Sequence, residues 1–140
     1  MHRAWPKLLR RMKARKIDSV DDRNLVIATR TWFCLYLFEH QLSYGTGRPA
    51  VLKDDESIQE CRLLLQHPLA IEDDMRLVST VELMAIRERV NNAMLPIEGP
   101  VREEHFTRLR DADVEFTNWY KVWDHAFSQK YEDAGTVHPL

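Results

Sequence analysis

His40, beside Glu39 at the end of an apolar run, has the best local case for chemistry in this 140-residue chain, because an imidazole there is equipped to act as a base or a metal ligand. Its surroundings favour a plainer role, a histidine near a helix end bonded to a backbone carbonyl or a carboxylate. No second histidine stands at ligand spacing: His2, His67, His105, His125 and His138 are scattered and form neither H-E-x-x-H nor H-x-x-H. Cys34 lies within the apolar run and Cys61 on an amphipathic segment, where cysteine behaves as a small buried hydrophobe. A nucleophilic thiolate needs a helix N-terminus or a neighbouring cation to form, and neither cysteine reads as having that setting.

Gly-Thr-Gly-Arg-Pro at 45–49 looks at first like a phosphate cradle. A P-loop carries Gly-Lys-Ser/Thr opening a helix, and a dinucleotide fingerprint sets its glycines between strand and helix. Here the glycines follow a helical run and lead into Pro49, so the expected role is a helix stop, with Arg48 pairing to Asp54 or Glu56. The acidic groups Asp54-Asp55-Glu56, Glu72-Asp73-Asp74 and Glu103-Glu104 each stand at an expected helix start. There they suit the helix dipole better than paired-carboxylate catalysis or a calcium loop. No catalytic, cofactor-binding or metal-ligating residue is expected, and the chain does not read as an enzyme.

The elements that hold these residues read as all-α, an irregular bundle of four to five helices. From Asp21 to Tyr44 there is neither Gly nor Pro, which predicts a hydrophobic helix over about 22–44, started by Asp21 or Asp22. Its apolar side chains point in nearly every direction, so it is expected to be central and covered on several sides. Gly45 and Gly47 then free the backbone, and Pro49 forbids helical geometry at Arg48. A short helix Glu56–Gln66 is expected with Ile58, Cys61 and Leu65 on adjacent turns, and another from about Asp73 to Met94. The last, over about 101–131, carries Phe106, Leu109, Asp113, Phe116, Tyr120, Trp123 and Phe127 at alternating spacings of three and four, a heptad-type seam with one acid in it. That acid, Asp113, is expected to meet an arginine, Arg30 or Arg76, or to mark where the seam opens to water, and the paired role is favoured. The chain is expected to comprise a basic N-terminal segment 1–17, a helical regulatory-type domain 18–132 and a flexible tail 133–140.

Four glycines and 44% hydrophobic residues suit one helical domain with a core of its own. Net charge is −2, but Arg3, Lys7, Arg10, Arg11, Lys13, Arg15 and Lys16 precede any acid, leaving 13 basic against 22 acidic residues in the remainder. Such a start can contact nucleic acid or membrane surfaces, can mimic an organelle transit peptide, or can be an amphipathic helix docked through Leu8, Leu9 and Met12 with its charges solvated. The docked helix is the favoured reading. No apolar stretch has the length of a signal peptide core or a membrane span. Two cysteines without C-x-x-C spacing fit reduced thiols, hence cytosol or nucleus.

The run from Arg30 to Pro49 resembles the middle homology region of fungal zinc-cluster transcription factors, where an Arg-x-Trp, a Leu-Tyr-x-x-Glu/Asp-His-x-Leu-Ser and a Gly-x-Gly-Arg-Pro follow in this order. Leu52, the acids 54–56 and the run Asp74 to Met84 continue the resemblance, which covers roughly residues 20–95. It implies a regulatory region acting through protein contacts, in a nuclear protein that controls RNA polymerase II transcription. The family's DNA-reading cluster needs six cysteine thiolates; with only Cys34 and Cys61 this chain cannot build it, so no cofactor is expected here and DNA would be reached only through a missing domain. The chain is accordingly expected to be a regulatory piece or a truncated product. The alternative is a free-standing helical interaction module, a homodimer through the Phe106–Phe127 seam.

Overall fold

A computed structural model describes residues 3–52, 56–94 and 99–135, and among these the chain is all-α. Its elements are α1 (Ala4–Lys13), α2 (Ser19–Thr46), α3 (Glu56–Gln59), a 3₁₀ segment (Cys61–Gln66), α4 (Asp73–Met94) and α5 (Glu103–Gly135). They fall into two compact units, Met1–Ala85 and Ile86–Leu140.

In the first unit, α2 turns a single row inward. Asp22, Val26, Thr29, Phe33, Tyr36, His40 and Ser43 are buried, spaced alternately by four and three, which keeps one seam in register along the helix. Val20, Ile27, Leu35, Phe38 and Leu42 remain exposed on the rest of the surface. The covered face is thus narrower than the apolar composition suggested: hydrophobicity says which side chains favour burial, not which have a neighbour. Asp18 caps the helix, its Oδ1 accepting from the backbone of Val20 at 2.9 Å and Asp21 at 3.3 Å, so the helix starts three residues earlier than expected, at Ser19.

Of the two hinge glycines only Gly47 leaves the helix. It sits at φ 70°, its N–H donating to the Tyr44 carbonyl and that of Arg48 to the Ser43 carbonyl, while Gly45 is helical. The same terminator closes α1, with the N–H groups of Arg15 and Lys16 reaching the carbonyls of Met12 and Arg11; there Arg15 takes the left-handed position at φ 57°.

α1 begins with Pro6 in its first turn, where no backbone donor is missed. It packs against α2. Trp5, Leu8 and Leu9 are buried, whereas Met12 is only half-buried. The Trp5 ring meets Phe33 edge-on at 5.6 Å, and its Nε1–H donates to the Ser57 carbonyl at 2.6 Å. Each such side chain contributes about 1.5–3 kcal/mol on burial.

The expected helix 56–66 is instead one α-turn followed by a 3₁₀ segment, and this changes its inward residues. Ile58, Cys61, Leu64 and His67 are buried at intervals of three, the period of a 3₁₀ helix, so Leu64 replaces Leu65. α4 has the expected limits. It buries Asp74, Val78, Val81 and Ala85 along one row within the first unit.

The second unit comprises α4 from Ile86 onward and α5. Arg108 Nη1 donates to the Ala93 carbonyl at 2.7 Å, and Arg89 pairs with Glu115 at 3.3 Å. The covered row of α5 includes Ala112, Phe116, Trp119, Trp123 and Phe127, whereas Phe106, Leu109 and Tyr120 of the expected seam are exposed. α5 runs to Gly135, past the expected end near 131; residues 136–140 of the expected tail lie outside the described residues.

Candidate functional site

The densest chemistry in the described residues is a buried polar spine in the first unit, and it begins at Asp22. That carboxylate is fully buried. Its Oδ1 accepts from Arg11 Nε at 2.6 Å, and its Oδ2 from His67 Nε2 at 3.0 Å and the Asp18 backbone at 3.1 Å. Arg11 also donates to the Lys16 carbonyl at 3.1 Å. Burial opposes Asp22's charge, but the bonds from His67, the Asp18 backbone and Arg11, with Arg11's charge, hold its carboxyl below the ordinary range.

His67 carries the spine onward through the loop after the 3₁₀ segment. The Leu69 N–H donates to His67 Nδ1 at 3.0 Å. Nδ1 is therefore the acceptor and Nε2–H the donor, a tautomer assigned from the hydrogen bonds. The Leu69 carbonyl then accepts from Arg30 Nη2 at 2.8 Å, and Arg30 grips Asp74 with both ends of its fork, at 2.8 and 2.9 Å. Asp74 also accepts from the Ile71 backbone at 2.8 Å. One chain of bonds thus ties α1, α2, residues 67–71 and α4 together.

A histidine on a buried aspartate has the outline of a catalytic dyad, but this pair cannot work as one. The imidazole's lone pair is already taken by the Leu69 N–H, which leaves the ring no free acceptor with which to take a proton from a nucleophile. What the spine does is fix the relative placement of four chain segments.

Glu39 forms a second joint at the far end of α2. Its Oε1 accepts from the Leu52 backbone at 2.7 Å, and its Oε2 accepts from the Ser43 hydroxyl. Burial raises its carboxyl, but bonds from Ser43, Leu52 and Val51 and the charge effect of His40 outweigh that and lower it. His40 is fully buried, its Nδ1–H donating to the Tyr36 carbonyl at 2.9 Å, with its ring 4.1 Å from Tyr36 and edge-on to Tyr44 at 6.1 Å.

Several expected pairings are replaced. Arg30 meets Asp74, and Asp113 is exposed, at the position where the seam opens to water. Arg48 Nε donates to Thr46 Oγ1 at 3.1 Å, and of the two acids expected for it Asp54 lies outside the described residues. Asp74 and Asp22, read as dipole acids, are structural anchors. Cys61 is buried and Cys34 exposed. In the second unit a hollow of about 270 Å³ is lined by Arg89, Val90, Ala93, Arg108, Asp111, Ala112 and Glu115, with both arginines engaged as described. Sequence reasoning missed Arg11, Asp22 and His67 as a group; separations of 11 and 45 residues leave no local signal.

These features define a helical framework organised by internal joints. The chain is similar to the transcriptional activator of proteases prtT of Emericella nidulans, 32% identical over 93 residues, which are 66% of this chain and 14% of the relative. It is also similar to proteins of the same name from Aspergillus clavatus, 27% identical over 111 residues (77% and 16%), and Aspergillus fumigatus, 28% over 109 residues (77% and 14%). The match spans about a seventh of the length of these curated relatives. No family model matches, and no solved structure gives a significant match. The chain is a relative of fungal transcriptional activators over part of their length, as the residues from Arg30 to Met84 implied. Among the described residues no helix is long and apolar enough to cross a membrane.

Proposed function

We propose that this chain is a regulatory and interaction region of a fungal-type transcription factor, acting in the nucleus on RNA polymerase II transcription, with base reading left to a zinc-cluster module that its two cysteines cannot form. The carrying observation is the 32% identity to a named activator of proteases, in a chain whose motif residues Arg30, Glu39, Ser43 and Gly47 serve as joints of a framework. Such a region works by holding surfaces for other protein segments. The test replaces the matching segment of the Emericella nidulans activator with this chain and measures protease expression. Regulated expression is expected; a phenotype equal to deletion of the segment overturns the reading.

A second reading, a helical dimerisation module, is favoured by the exposure of Phe106, Leu109 and Tyr120 along α5. Light scattering on the purified chain separates the two. A dimer that Leu109→Asp converts to monomer supports the module, and a monomer at all concentrations removes it.

A further inference from the structure

α1 carries a ridge of cations that the acids among the described residues leave unneutralised. At 100° per residue Arg3, Lys7 and Arg10 fall within about 60° of one another, opposite Trp5, Leu8 and Met12. All three are exposed, and so are Arg15 and Lys16 just beyond the helix. The cations flanking the ridge are treated differently: Arg11 is bound to Asp22 at 2.6 Å and Lys13 to Glu60 at 2.6 Å. The fold supplies acids to the flanks and none, among the described residues, to the crest.

We propose that this ridge docks on the phosphate backbone of duplex DNA without reading its sequence. Complementary charge is the first argument: five exposed cations lie on a segment with no acid, in a chain whose remainder is acidic. Rigidity is the second. Trp5, Leu8 and Leu9 hold α1 to the body, so the cations from Arg3 to Arg10 form a fixed row about 10 Å long, on the scale of several charges along a duplex. Arg15 adds a third. It occupies the left-handed position that closes α1, where glycine is the favoured residue, so its cation is kept in an unfavourable backbone conformation. A lipid surface suits the ridge less well, since the apolar face an interfacial helix would insert is already buried in the core. A groove that reads an extended basic peptide would require α1 to unwind and release Trp5. Only the choice of DNA over RNA rests on the transcription-factor reading.

The test is fluorescence anisotropy of a labelled 20-base-pair duplex of arbitrary sequence, titrated with the full chain from 50 to 200 mM salt. Five phosphate contacts predict a log–log slope near −4.5, about a 500-fold weakening across that range, with no dependence on base sequence. Arg3→Gln/Lys7→Gln/Arg10→Gln should bring the slope to about −1.8, whereas Lys121→Gln on α5 should leave it unchanged. If the triple variant loses helicity, Lys7→Gln alone decides, with a slope change of about 0.9. Arg15→Gly should give a similar change while raising the midpoint of thermal unfolding. The proposal is overturned by no binding at 50 mM salt, by an unchanged slope in the ridge variants, or by tighter binding to anionic vesicles, an acidic peptide or duplex RNA. None of those outcomes bears on the segment-replacement experiment, so the two readings fail separately.

Discussion

Replacing Asp22 with alanine removes the carboxylate on which Arg11, His67 and the Asp18 backbone converge. The His67 Nε2–H is left in a fully buried position without its acceptor, which costs about 1–3 kcal/mol. The Arg11 guanidinium loses its counter-charge; breaking a buried pair by removing one partner costs about 3–5 kcal/mol. Arg11's side chain is 29% exposed and keeps its bond to the Lys16 carbonyl, so it can turn partly to water. The two losses therefore overlap, and the expected total is about 3–4 kcal/mol, a large part of the roughly 5–15 kcal/mol that holds a domain folded.

Urea unfolding followed by helical circular dichroism is the assay. With an m-value of about 2 kcal/mol/M, the midpoint should fall by about 1.5–2 M with m unchanged. Combining Asp22→Ala with Arg11→Ala should destabilise by about 1–2 kcal/mol less than the sum of the single changes, because the second substitution removes a charge that the first had already stranded. A midpoint shift below about 0.5 M would refute the reasoning, as would strict additivity, which would mean that the 2.6 Å contact carries no net coupling.

The two glycines before Pro49 should respond oppositely to alanine. Gly47→Ala should cost about 1 kcal/mol, since its φ of 70° disfavours a Cβ although the space around it is open, and Gly45→Ala should gain about 0.5–1 kcal/mol, both read from thermal melts. Arg30→Lys keeps the charge but loses the fork that spans Asp74 and the Leu69 carbonyl, and should destabilise by about 1–2 kcal/mol on the same assay. Asp22 and Glu39 have folded-state carboxyls below their ordinary 3.8 and 4.5, so their contribution is fully present above those values and is lost as pH falls through the lower folded ones. Urea midpoints should accordingly hold from pH 7 to about 5 and drop below about 4.5, and Glu39→Gln should make that drop shallower.

Much of the helical layout was legible because its signals are local. The absence of Gly and Pro from Asp21 to Tyr44 marked α2, and acids followed by a periodic run marked α4 to the residue. Where the reading went astray, the deciding contact was distant or the period unfamiliar. Asp22 looks like any first-turn acid until His67, 45 residues on, is brought against it. Arg30 is one of two arginines, with Arg76, expected for Asp113, whereas its actual partner, Asp74, lies in an acidic group already explained by the helix dipole. Ile58, Cys61 and Leu65 are the natural inward set for an α-helix; the 3₁₀ path selects Leu64 and carries the same period to His67, which is how that histidine reaches the interior.

The residues behind the family resemblance have a common physical role. Arg30 fastens the first half of α2 to α4 and the 67–71 loop, Glu39 and Ser43 fasten its second half to the chain at Leu52, and Gly47 permits the turn that lets the chain return there. His40 fills the interval between these joints, held by Tyr36 and flanked by Tyr44. Each needs a particular donor, acceptor or backbone freedom, because a buried polar group left without its partner costs more than an apolar residue in its place. A helix pinned at both ends transmits a displacement at one joint to the other more faithfully than a helix held by apolar packing alone, since directional bonds resist sliding. That stiffness suits the interaction role proposed above, and it accounts for Arg30 and Glu39 lying on the same 28-residue helix yet serving opposite ends of it.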